Sequence, residues 1–236
     1  MWTCPQIICR SCSGANDGSI TITNPSGGYG SYEYSINGGG SWHPGNIFSN
    51  LAPGTYNVQI RDAAQHACFV TLNSALLITG PIPLVATVGK TDVSCYGANN
   101  GIITISNPSG GYGTYEYSIN GGLNWSSIGN FTGLAPGSYD VRMRDAAHSA
   151  CYIILDPGLV ISQPSVLNAN ITSTNVTCFG SADGSISITN PSGGYGTYEY
   201  TVNGGGAWQT SGNFTGLGPG SYNVQIRDAA HPGCII

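Results

Sequence analysis

Asn107-Pro108-Ser109-Gly110-Gly111-Tyr112-Gly113 decides how this chain is read, because the same seven residues stand at 24–30 and again at 190–196. Both steps are 83 residues (107 − 24 and 190 − 107). Trp42, Trp125 and Trp208 keep that step, and so do Asp62, Asp145 and Asp228. Residues 95–153 and 178–236 differ at 21 of 59 positions, without a gap. A period of this length exceeds the roughly 20–50 residues of a solenoid unit and suits a complete small domain. Pro81-Ile82-Pro83 and Gln163-Pro164 fall at equivalent places and read as short, stiff linkers. The expected domains are therefore 1–80, 81–163 and 164–236.

Outward from the quoted stretch, the middle copy reads as a series of strands. Residues 84–94 alternate loosely. Asn99-Asn100-Gly101 is a turn signal, matched by Asn16-Asp17-Gly18 and Ala182-Asp183-Gly184. Residues 102–106 are β-branched, and 107–113 read as a Gly/Pro loop. Tyr115, Tyr117 and Ile119 share one face of a period-two segment. Residues 141–144 alternate in the same way, and 152–155 with 159–161 supply a last strand. No window sustains a helical period. Short strands with regular turn signals indicate an all-β sandwich.

Leu-x-Pro-Gly-x-Tyr-x-Val recurs at 51–58, 134–141 and 217–224. It is similar to the tyrosine corner of immunoglobulin-like sandwiches, in which a tyrosine hydroxyl bonds back to the preceding backbone. Tyr56, Tyr139 and Tyr222 are the residues so placed. The fold expected is three tandem immunoglobulin-like sandwiches.

Composition narrows the function. Only 7% of residues are charged and the net charge is −5, against roughly 25% charged in an ordinary domain. Lys90 is the single lysine and the arginines are scattered, so the clustered cations that neutralise phosphates are missing and nucleic acid is not an expected partner. No apolar run reaches the ~20 residues of a membrane span. Met1-Trp2-Thr3-Cys4 lacks the basic start and apolar stretch of a signal peptide. A secreted form is then expected to be a mature or excised part of a longer precursor.

Six of the eight cysteines form three pairs with one spacing: Cys12/Cys68, Cys95/Cys151 and Cys178/Cys234, each 56 apart. One disulfide inside each domain is the expectation, which places the chain in an oxidising compartment. Cys4 and Cys9 have no repeat partner. With Cys12 they open a plant-type iron–sulfur spacing, and Cys9-Arg10-Ser11-Cys12 has the form of a redox dithiol. No fourth cysteine lies nearby and no βαβ pattern surrounds them, so a local Cys4–Cys9 clip is expected, with a bond to a neighbouring chain as the alternative.

Catalysis needs a positioned acid, base or nucleophile. His43 does not recur, and His66 is one residue out of register with His148 and His231. Gly89-Lys90-Thr91 has the ending of a phosphate loop, but its earlier glycine would fall at Leu84. No catalytic residue and no cofactor are expected. Asp62, Asp145 and Asp228 offer a calcium reading together with Asp17 or Asp183, but the middle copy carries Asn100 there and acids are scarce. Turn capping is the preferred role. Trp42, Trp125 and Trp208 follow Gly-rich hairpins, with Tyr29, Tyr112 and Tyr195 in loops nearby. Exposed, these rings would stack on glycans; buried, they close one end of a sandwich.

The string 95–105 (Cys-Tyr-Gly-Ala-Asn-Asn-Gly-Ile-Ile-Thr-Ile), then 110–122, then 134–145 and Cys151, resembles the SprB-type repeat. That family occurs in very large cell-surface adhesins of gliding Bacteroidetes, exported by the type IX secretion system. The resemblance covers nearly the whole chain in all three copies. It implies an extracellular or cell-surface location, many copies per polypeptide, and attachment without catalysis. Residues 1–11 depart from the pattern, and a C-terminal sorting domain is not expected within these residues. The third copy stops at Cys234-Ile235-Ile236, where the first continues through 69–79, so its last strand is missing from this chain.

The reading is a non-enzymatic rod of disulfide-stapled repeats in a surface adhesin or extracellular filament. Its partners are its own kind, as head-to-tail copies or as further repeats of one polypeptide. Strand donation by residues 1–11 is one means of polymerisation. The alternative is a carbohydrate-binding array that uses the loop Trp and Tyr residues to hold surface glycans.

Overall fold

The computed structural model describes residues 12–236 and, before them, the backbone of Gln6–Ile8. Every regular element among the described residues is a β-strand. The first repeat holds β1 (Gln6–Ile8), β2 (Gly18–Thr21), β3 (Tyr32–Ser35), β4 (Ile47–Leu51), β5 (Gly54–Asp62) and β6 (Phe69–Ile78). The second holds β7 (Ile82–Thr91), β8 (Gly101–Gly111), β9 (Tyr115–Ser118), β10 (Asn130–Leu134), β11 (Gly137–Asp145) and β12 (Tyr152–Ile161). The third holds β13 (Ser165–Thr174), β14 (Gly184–Gly194), β15 (Tyr198–Thr201), β16 (Asn213–Leu217) and β17 (Gln225–Asp228).

Each repeat pairs two antiparallel sheets. In the second, β8 lies between β7 and β10, and β11 lies between β9 and β12. Strand β11 shows why the sheets close on each other. Val141 and Met143 point inward and are fully buried, while Arg142 and Arg144 alternate outward. They meet Leu84, Ile103, Ile105, Tyr117 and Ile161, so both sheets supply one core. The first repeat builds the same core from Ile20, Tyr34, Val58, Ile60, Leu76 and Ile78.

Three local features depart from expectation. Residues 107–111 are not a free loop: β8 runs through Gly111, which pairs with Ile82 across two register shifts. Asn107, at φ 51, takes the left-handed turn that this irregular strand needs. Strand β10 escapes a period-two search because Asn-Phe-Thr-Gly-Leu does not alternate and its Gly133 has φ 72. Finally, Gln6–Ile8 fall in the stretch whose sequence breaks the repeat, yet they keep its strand pairing. They pair with β2 of their own repeat, as β7 pairs with β8.

The third repeat differs at one edge. Ile226 and Ile236 exchange both backbone hydrogen bonds, at 3.1 and 3.0 Å, which starts a strand where β12 stands in the second repeat. Without the rest of that strand, β17 is four residues long where β11 has nine. Ile161 packs against Gly101 in the second repeat and Ile78 against Gly18 in the first; Gly184 has no such neighbour. Val93 is fully buried, whereas its counterpart Val176 is only half-buried.

Each repeat has two distinct ends. Gly101, the start of β8, meets Leu134 and Ile161, close to the start of β11. This corner end carries the first cysteine of the repeat. Gly111 and the end of β11 at Asp145 form the other, the loop end, beside the second cysteine. Strand β6 leaves the first repeat at its corner end, and β7 begins beside Gly111 at the loop end of the second. Successive repeats therefore meet corner to loop.

Candidate functional site

The chemistry of the chain gathers where repeats meet. At the corner ends, Tyr56 and Tyr139 donate from their hydroxyls to the carbonyls of Ala52 and Ala135, both at 2.7 Å, and Tyr222 donates to Gly218 at 2.8 Å. Each bond reaches back four residues and ties the strand to the turn before it. Beside it the first-cysteine turn is closed by Ala98 N–H donating to Cys95 at 3.1 Å, and by Ser181 N–H donating to Cys178 at the same distance. Asn100 and Asp183 cap this turn, accepting the backbone N–H of Ser94 and Thr177 at 3.0 Å. In the second repeat, Lys90 donates to Asp92 at 2.8 Å and to the Val160 carbonyl at 2.6 Å. The Lys90 hydrogen bond brings the Asp92 pKa down to about 2.

At the loop ends one buried aspartate holds two segments together. Asp62 accepts the N–H of Tyr29 at 2.6 Å on one oxygen, and those of Ala64 and Gln65 on the other. These bonds, led by that from Tyr29, hold its pKa below the usual carboxylate range. Asp145 and Asp228 make the same three bonds in their repeats. Asp62, Asp145 and Asp228 also donate beside the second cysteine: their backbone N–H groups bond the carbonyls of Cys68, Cys151 and Cys234. Asp183 and Asp228 lie at opposite ends of one repeat, so they do not share a cation. No group of three or more His, Cys, Asp or Glu placed to hold a metal occurs among the described residues. His148 and His231 stack on Tyr112 and Tyr195, with ring centroids 4.1 Å apart. His66, out of register, instead approaches Glu33 at 3.7 Å.

The disulfides connect repeats and not the two ends of one repeat. Cys12 is bonded to Cys151 and Cys95 to Cys234, each across 139 residues. The expected pairs Cys12/Cys68, Cys95/Cys151 and Cys178/Cys234 are corrected accordingly. The reason is length. The two cysteines of a repeat flank opposite ends of β5 or β11, and nine residues at roughly 3.3 Å per residue separate them by about 26 Å. A disulfide needs its Cα atoms about 5.5 Å apart, and both observed bonds have 5.3 Å. Cys68 and Cys178 carry free thiols and are exposed. Cys4 and Cys9 lie outside the described residues. A hydrogen bond crosses the second junction as well, from the Tyr195 hydroxyl to the Val93 carbonyl at 3.2 Å.

Trp42, Trp125 and Trp208 are half-buried, and each has one ring face covered by a guanidinium. Arg61, Arg144 and Arg227 stand 4.4, 4.3 and 4.3 Å from the ring centroids. Each arginine is held by a carboxylate on the neighbouring strand: Glu33, Glu116 or Glu199, at 2.6–2.7 Å. This Trp–Arg–Glu stack was not anticipated from sequence. Its signal was present, since Glu116 and Arg144 are direct cross-strand partners and both recur at the common step.

A family model described as the SprB repeat matches residues 10–41, 87–124 and 170–207. Each match includes the first-cysteine turn of its repeat. A search of curated proteins returned no match.

Proposed function

We propose, from the premise that the chain carries three SprB repeats, that it is a non-enzymatic, extracellular load-bearing segment of a surface adhesin or filament. The observation that carries this reading is the placement of Cys12–Cys151 and Cys95–Cys234 across the junctions. A disulfide inside a domain would stabilise that domain alone. A disulfide across a junction adds a second covalent connection beside the linker, so neighbouring repeats cannot separate or swivel freely. Such bonds persist in oxidising surroundings outside the cell. The strand order supports reading each repeat as an immunoglobulin-type sandwich. β7, β8 and β10 correspond to strands A, B and E, and β9, β11 and β12 to C, F and G.

The arrangement also limits stretching. Between Cys12 and Cys234 the polypeptide has 222 steps (234 − 12), but the disulfides open a shorter route. It crosses from Cys12 to Cys151, runs back through 56 residues (151 − 95) to Cys95, and crosses to Cys234. At about 3.5 Å per residue, full unfolding extends the oxidised chain by about 200 Å and the reduced chain by about 780 Å. The glycan-binding alternative has less support, because a guanidinium already occupies one stacking face of every repeat tryptophan.

Pulling single molecules from handles next to residues 12 and 234 tests the proposal. The expected result is a roughly fourfold longer final extension after reduction. An oxidised chain that stretches to its full contour length overturns the load-bearing role.

A further inference from the structure

We infer that Cys178 and Cys68 are the two halves of a third junction, and that Cys178 of one chain bonds Cys68 of a second copy of the same chain. The inference rests on the reading of the chain as a segment of a repeat array. Cys12, Cys95 and Cys178 are one position repeated, and Cys68, Cys151 and Cys234 are another. Each closed junction joins the first cysteine of one repeat to the second cysteine of the next. Within these three repeats the rule leaves Cys68 and Cys178 unmatched, and among the described residues these are the free, exposed thiols.

The surroundings of the two thiols match as well. At the first junction, Gly111, Asp145, Tyr152 and Ile153 line a groove that receives Cys12 and Ser13. The first repeat has the same groove, lined by Gly28, Asp62, Phe69 and Val70 around Cys68, and among the described residues no cysteine turn enters it. Cys234, at a closed junction, is 7% exposed, whereas Cys68 is open to solvent. Tyr29 is 77% exposed, against 48% for Tyr195, whose hydroxyl bonds Val93 across a junction. On the other side, Phe179 follows Cys178 and is wholly exposed. Its counterpart Tyr96 lies against the groove of the third repeat. An exposed aromatic beside one thiol and an apolar groove beside the other are the pieces that the closed junctions bring together. Each copy of the chain carries both halves, so a second copy presents the matching half for each.

Bond formation removes two protons and two electrons from the two thiols. A small-molecule disulfide such as oxidised glutathione accepts them and leaves as two thiols, by way of a mixed disulfide.

The test uses the purified chain with Cys4 and Cys9 replaced by Ser, in a glutathione redox buffer, read on non-reducing gels with peptide mapping. The expected result is a ladder of multimers containing a peptide that joins Cys178 to Cys68. Cys68→Ser and Cys178→Ser should each remain monomeric, and their equimolar mixture should stop at the dimer. Two results overturn the inference. One is a ladder built on Cys68–Cys68 or Cys178–Cys178 bonds. The other is a chain that stays monomeric while Cys12–Cys151 and Cys95–Cys234 close; that assigns the free thiols to further repeats and leaves the proposed function standing. If the two internal bonds also fail to form, the load-bearing reading falls with it.

Discussion

Asp62 accepts the backbone N–H of Tyr29 at 2.6 Å, across 33 residues of sequence. That contact pins the Gly-rich loop to the end of β5 and puts the loop end of the repeat in place. It depends on ionisation. The backbone donors around Asp62 lower its folded-state pKa, and Lys90 lowers that of Asp92 to about 2. A depressed carboxylate stabilises the fold fully above its unfolded value, near 3.9, and loses that contribution as pH falls through the folded value. The expected melting temperature is therefore flat from neutral pH to about 5 and falls progressively below about 4. Thermal melts across pH check this, and Asp62→Asn should flatten the acid limb for the first repeat.

Gly111 has φ 58, and a Cβ placed on it would lie 2.4 Å from Asp145 Oδ2. Gly111→Ala should therefore cost about 1–3 kcal/mol, through left-handed strain and a displaced carboxylate. Gly113 has φ 92 with open space around it. Gly113→Ala meets only the backbone term and should destabilise less. Chemical denaturation of the two variants separates the contributions.

Tyr139 donates one hydroxyl hydrogen bond to Ala135. Tyr139→Phe keeps the ring and removes that bond, and should cost about 1 kcal/mol. Equal losses for Tyr56→Phe and Tyr222→Phe would show the corner working alike in all three repeats; denaturant midpoints provide the comparison.

Arg144 covers one face of Trp125 at 4.3 Å and is fixed by Glu116. Arg144→Ala should cost about 1 kcal/mol and make tryptophan fluorescence more readily quenched by acrylamide. Unchanged quenching would mean that the guanidinium does not shield the ring in solution.

Much of the fold could be read from the chain. The repeat, the alternating run at 141–144 and the tyrosine of each corner were all visible, because each rests on local periodicity or on a turn residue of fixed geometry. Strand β10 was not visible, because its burial comes from pairing with β8 and not from its own pattern. The disulfide pairing was misread for a reason built into tandem repeats. With a step of 83, cysteines 56 apart are also 139 apart from the next copy (83 + 56), so spacing alone does not distinguish the two pairings. The length of β11 does, once it is seen that the strand stands between Cys95 and Cys151.

The junction disulfides have a further consequence, for survival among proteases. Segments 12–95, 95–151 and 151–234 each run between the same two cross-linked points, Cys12–Cys151 and Cys95–Cys234. A nick in one of them leaves two intact, and a second nick in another still leaves one. Only when all three have been cut does the molecule come apart between those points. For a chain exposed to environmental enzymes, that redundancy turns most backbone damage into a loss of local order without a loss of connection.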